Sequence, residues 1–121
     1  MTDPKSVADR YLAAWNETDP QRRRALIEAG WSSDASYVDP LAAVEGHQGV
    51  DALIDGVQQR FPGFRFRLLG QPDGYADRVR FSWSLGPDGA EPPIKGSDVV
   101  LLEDGRVRQV IGFLDQVPAP A

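Results

Sequence analysis

At Pro62-Gly63 the hydrophobic period of the chain changes, and that change limits the folds open to it. Before it, Val50, Leu53, Ile54, Val57 and Phe61 recur at the three-and-four spacing of a helix that buries one face. After it, Phe64, Phe66 and Leu68 alternate with Arg65 and Arg67. Beyond the turn signal Pro72-Asp73-Gly74, Val79, Phe81, Trp83 and Leu85 alternate with Arg78, Arg80, Ser82 and Ser84. Each strand therefore has one apolar and one polar face. Helices followed by a meander of one-sided strands define an α+β domain, with the helices covering the apolar face.

The remaining elements follow from local signals. Val7, Tyr11, Ala14 and Trp15 form the apolar stripe of a first helix over residues 6–17. Thr18-Asp19-Pro20 caps and opens a second helix that stops at Gly30, and its Arg22-Arg23-Arg24 run reads as a solvated face. A short strand, Ala35-Ser-Tyr-Val-Asp39, ends at Pro40, which cannot donate to a ladder and holds the residue before it extended. A loop from Leu41 to Gly49 precedes the third helix. The turn Gly86-Pro-Asp-Gly89 leads to a strand over Ile94 to Glu103, and Asp104-Gly105 is a hairpin signal into Arg106 to Leu114. The expectation is one domain over residues 1–121, with the tail 117–121 frayed. Three helices are expected on the concave face of a curved antiparallel sheet.

Composition removes several classes of function. A formal charge of −5 leaves no basic face for nucleic acid or an anionic membrane. With no cysteine there is no thiolate nucleophile, disulfide or cysteine zinc site, and a single histidine makes a metal centre a poor expectation. The first residues lack a basic start followed by an apolar run, and no apolar stretch reaches membrane-spanning length, so a cytoplasmic protein is expected.

Three side chains stand where the pattern asks for something else. Tyr11 lies on an apolar helix stripe, so its hydroxyl goes inside and needs a partner. Asp39 closes a strand on the Ala35 and Tyr37 face, and points into whatever the sheet encloses if that face is the inner one. Asp98 interrupts Gly96-Ser-Asp-Val-Val-Leu-Leu102, a strand apolar on both faces. Such departures from pattern gather at functional sites.

Arg10-Tyr-Leu-Ala-Ala-Trp15, Tyr37-Val-Asp-Pro40 and Ser97-Asp-Val-Val-Leu101 resemble the three active-site segments of bacterial ketosteroid isomerase, and the element order resembles the SnoaL-like, nuclear transport factor two-like superfamily. The resemblance implies a cofactor-free isomerase that moves a double bond in a small hydrophobic carbonyl compound. Asp39 matches the general base, and Tyr11 and Asp98 match the two donors that hold the developing oxyanion. Trp15, Tyr37, His47, Trp83 and Phe113 are the candidates to line an apolar substrate pocket, with Trp15 and Trp83 narrowing it and Trp31 lying away from it. Other chemistries of the superfamily remain open: a polyketide cyclase using His47 with Asp39, another lyase or hydrolase, or a non-catalytic binder of small hydrophobic molecules. The resemblance also implies a homodimer through the outer sheet face, where Arg65, Arg67, Arg78 and Arg80 fall.

Overall fold

Each of the first two helices starts on an aspartate followed by proline. In the structure, a computed structural model that describes residues 3–118, the Asp3 carboxylate accepts from the Ser6 amide at 3.1 Å and opens α1, Pro4–Asn16. Asp19 does the same for the Arg22 amide at 2.9 Å and opens α2, Pro20–Gly30. Each cap satisfies an amide that has no partner within its helix, while proline at the first position forfeits nothing. Strand β1 covers Trp31–Val38, β2 Ala43–Glu45 and α3 Gly46–Arg60. The meander is β3, Phe64–Tyr75, β4, Arg78–Pro87, β5, Ile94–Glu103, and β6, Arg106–Gln116. Val117 and Pro118 have no regular structure, and the rest of the tail expected to fray lies outside the described residues.

The sheet order is β2-β1-β6-β5-β4-β3. Strands β3 to β6 pair antiparallel in sequence, as the alternation predicts, but β1 joins β6 in parallel. The sheet is therefore mixed rather than wholly antiparallel, and it is curved without closing into a barrel. The cause is the crossover through α3, which carries the chain from β1 and β2 at one edge to β3 at the other. Parallel pairing leaves no local sequence signal, because its partners are some 70 residues apart: Tyr37 faces Val110 and Val38 faces Ile111.

Two turn signals landed differently. Pro72-Asp73-Gly74 lies inside β3, beside a register shift between Leu69 and Asp73, and the hairpin turns instead at Ala76-Asp77, with Ala76 at φ 48°. Because β3 is an edge strand, a proline there leaves no ladder bond unmade on the solvent side. The expected loop 41–49 holds β2 and the first turn of α3, so His47 is helical. At three residues, β2 is too short to show a period.

Helix α1 packs on β3 and β4, α3 on β1 and β2, and α2 bridges the other two helices. Asn16 pins the end of α1 by imitating a strand, donating to the Phe66 carbonyl at 2.9 Å and accepting from its amide at 2.7 Å. The arginine run is a solvated face only in part. Arg22 and Arg24 are exposed, but Arg23 is 2% exposed and reaches Asp51 at 2.7 Å, Asp55 at 3.2 Å and Gln58 at 2.9 Å on α3. A buried guanidinium needs such a set of acceptors, and here they weld α2 to α3.

Candidate active site

Strand parity in β1 puts Ala35, Tyr37 and Asp39 on the inner face, with Val38 exposed. Pro40 ends the strand, and the chain turns back on the Asp39 side chain. Its Oδ1 accepts the Leu41 and Ala42 amides at 2.7 and 2.8 Å, while the Asp39 amide donates to the Ala42 carbonyl at 2.9 Å. Its Oδ2 accepts the Tyr37 hydroxyl at 2.6 Å. The carboxylate is thus fixed in orientation, one oxygen tied to backbone and the other turned inward. Burial first, and then this bond to Asp39, lift the Tyr37 hydroxyl far above the usual phenol range, so it stays a donor.

Asp98 is 3% exposed and stands opposite Gly112 in the β5–β6 ladder. Its Oδ2 accepts the Trp83 indole N–H at 3.1 Å from the neighbouring β4, and its Oδ1 has no partner. Burial raises its pKa to about 7; the donors nearby, the Tyr11 hydroxyl and the Trp83 N–H, oppose the shift, and the charges of Asp39 and Asp115 add to it. Glycine is required on both sides of this residue. A Cβ at Gly96 would overlap the Trp83 ring, and one at Gly112 would stand 2.9 Å from Asp98 Oδ1, 3.2 Å from Asp39 Cβ and 3.6 Å from the Tyr37 hydroxyl. Gly112 is thus the bare floor on which Asp39, Tyr37 and Asp98 meet.

Tyr11 closes this group from α1. It is 3% exposed, packs on Trp31 and Phe81 at 5.6 and 5.2 Å between ring centroids, and its hydroxyl has no hydrogen-bond partner. Burial, then the adjacent Asp98, hold it well above the usual phenol range. The Trp15 indole N–H, one helical turn on, is also buried without a partner.

The other expected site residues divide. Trp15, Tyr37 and Trp83 are inside, where Trp15 lies 5.8 Å from Tyr37 and 5.3 Å from Phe66, and Phe66 lies 5.2 Å from Trp83. Phe113 is 55% exposed on the outer face, because it alternates with the inward Gly112, so it lines no pocket. His47 donates through Nε2 to the Trp31 carbonyl at 2.8 Å and makes no hydrogen bond to Asp39, whose three donors are Tyr37, Leu41 and Ala42. Trp31, expected away from the pocket, is buried and lines a cavity of about 140 Å³ with Val7, Arg10, Leu26, Leu102 and Val107. A smaller cavity of about 20 Å³ borders Trp15, Phe61 and Phe66. The larger cavity is also lined by Tyr11, and neither cavity has Asp39 or Asp98 in its lining. Sequence reasoning missed Phe66, which the Phe64 alternation already turned inward, and Gly112, which only the sheet register reveals. No group of three histidine or acidic side chains among the described residues is placed to hold a metal ion.

Residues 8–110 match the model of the SnoaL-like domain, and the chain belongs to that family. Three helices on a curved, unclosed six-stranded sheet are its nuclear transport factor two-like α+β fold. A candidate isomerase of the SnoaL-like family from Agrobacterium tumefaciens is 47% identical, with a TM-score of 0.90 over 95% of this chain and 99% of that one. A candidate ketosteroid isomerase from Kribbella flavida is 18% identical, with a TM-score of 0.70 over 96% and 80% of the two chains. A candidate SnoaL-like polyketide cyclase from Jannaschia is 17% identical, at 0.72 over 100% and 99%. The latter two share the fold. None of the curated proteins matches the chain.

Proposed function

We propose that the chain is a cofactor-free isomerase of the ketosteroid isomerase type, shifting a double bond in a small hydrophobic carbonyl compound. One observation carries the reading: the Tyr11 hydroxyl and Asp98 Oδ1 are buried, adjacent and without partners, across Gly112 from an oriented carboxylate. Leaving a buried polar group unpaired costs about 1–3 kcal/mol, which a ligand oxygen accepting from both would recover.

In this mechanism Asp39 Oδ2 takes a proton from the carbon next to the carbonyl. The electron pair of that C–H bond becomes a carbon–carbon double bond, and the carbonyl π pair moves to oxygen. Tyr11 and protonated Asp98 donate to that oxygen more strongly as its charge grows, which lowers the barrier and not merely the ground state. Because Trp83 holds Asp98 Oδ2, the carboxyl proton sits on Oδ1, the oxygen left for the ligand. Asp39 then returns its proton to the conjugated carbon two positions on, and the carbonyl reforms. The Tyr37 hydroxyl keeps Oδ2 pointed at the substrate.

The cyclase alternative asks His47 to act with Asp39, and the bond from His47 to Trp31 disfavours it. The test is turnover of a β,γ-unsaturated ketone followed by absorbance. Asp39→Asn should lose ~10²- to 10⁴-fold in rate with an unchanged circular dichroism spectrum. Undiminished turnover in that variant removes Asp39 as base.

A further inference from the structure

The oxyanion reading leaves one buried polar atom unused. Trp15 Nε1 has no partner, although Trp15 is 5% exposed and surrounded by Tyr11, Tyr37 and Phe66. Over 90% of buried polar groups in folded proteins are paired, so three orphans in one place need a common cause. The three atoms are Tyr11 Oη, Asp98 Oδ1 and Trp15 Nε1, and Tyr11 stands between the other two. On one side the Tyr11 and Trp15 rings are 6.3 Å apart, tilted at 44°, and the Trp15 N–H favours negative charge on the Tyr11 oxygen; on the other Tyr11 and Asp98 act on each other's ionisation. The other indole of the group, Trp83, is satisfied by Asp98 Oδ2, so an unmet N–H is not a general property of this core.

We infer that Trp15 Nε1–H is a third donor to the ligand oxygen, and that the site is therefore built for an anionic oxygen, an enolate or phenolate, rather than a neutral ketone. A carbonyl oxygen offers two lone pairs, which Tyr11 and Asp98 already use. An enolate or phenolate oxygen offers three. A trio of donors is one too many for the substrate and the right number for the intermediate, the kind of preference that speeds a reaction. An indole N–H suits the place because it donates only, and cannot compete as an acceptor for the protons of Tyr11 or Asp98. Being neutral, it adds no charge that would draw the proton from Asp98.

This inference rests on the isomerase reading, and the experiment separates the two. Protein labelled with ¹⁵N in its indoles gives one N–H resonance for each of Trp15, Trp31 and Trp83. It is titrated with a series of phenols of matched size and graded acidity, with affinities from calorimetry. The expected result is an affinity that rises as the phenol becomes more acidic, with a downfield movement of the Trp15 proton that grows along the series. Trp15→Phe should weaken the most acidic phenol about tenfold and flatten the dependence on acidity. The benzothiophene analogue of tryptophan at position 15, which keeps the bicyclic shape and lacks the N–H, should do the same, which separates lost donation from lost packing. If acidity and Tyr11→Phe both matter while the benzothiophene analogue binds like tryptophan and the Trp15 resonance stays put, the third donor is refuted and the two-donor site stands. If phenol acidity and Tyr11→Phe have no effect, the oxyanion reading itself falls.

Discussion

Asp98 combines two demands that conflict in water: a carboxyl group near neutral pH, and a proton still on it. Burial settles the conflict by making the ionised form expensive, and it raises the pKa to about 7 against an ordinary 3.8. Between those values the folded chain holds a proton that the unfolded chain has released, so this residue's contribution to stability falls as pH rises from about 4 to about 7 and is level above. The difference corresponds to roughly 4 kcal/mol. Turnover and phenol affinity should decline as pH passes through about 7, and Asp98→Asn should remove that decline while leaving a weaker donor in place. Urea denaturation of both forms between pH 5 and 8 checks the stability arm; equal slopes against pH would show that Asp98 is not the titrating group. Of the residues involved, Tyr11, Asp39 and Asp98 were legible in the sequence as polar groups at apolar or strand positions. Trp15 was legible only as an apolar wall, because an indole on a helix stripe looks the same whether or not its N–H has work to do. Gly112 carries no side chain and left no signal.

Helices α2 and α3 meet through Arg23, and α2 runs directly into β1, the strand that leads to Asp39. Removing a buried guanidinium leaves Asp51 and Asp55 facing each other without their cation. Arg23→Ala should destabilise the fold by about 3 kcal/mol, toward the lower end for a broken buried pair because both carboxylates keep contact with water. Arg24→Ala, one residue on and exposed, is the control and should change little. The measure is the urea midpoint, and equal midpoints for the two variants would dismiss the weld. Helical period, caps and strand alternation made nearly every element readable; α2 starts at its Asp19-Pro20 signal, whereas α1 starts at Pro4 and ends at Asn16 where residues 6–17 were expected. Burial of Arg23 was not readable, since Arg22, Arg23 and Arg24 differ only in which direction the helix turns them. The parallel β1–β6 pairing was unreadable for a different reason: the ladder links segments that share no turn.

At the scale of the molecule, the outer face of the sheet divides in two. On β3 and β4 it carries the expected arginines, of which Arg67 and Arg80 pair with Asp88 and Asp73. On β1, β6 and β5 it carries Val38, Ile111 and Val99 in one register row, with Phe113 beside them. A contiguous apolar row on an open sheet face is the kind of surface that association buries, and a two-fold pairing would bury the same patch twice. The prediction is a homodimer, with a light-scattering mass twice the 13.3 kDa of one chain, and Ile111→Arg should return it to one chain. A mass of 13.3 kDa for the unaltered protein across micromolar concentrations would refute it. The sheet's two margins have the opposite property. An unclosed sheet leaves β2 and β3 with backbone groups that could recruit further strands without limit. One margin is only three residues long, and the other is broken by Pro72 and a shift of register. Both margins are therefore poor templates for strand addition, and the edges of the sheet are protected where its outer face is not.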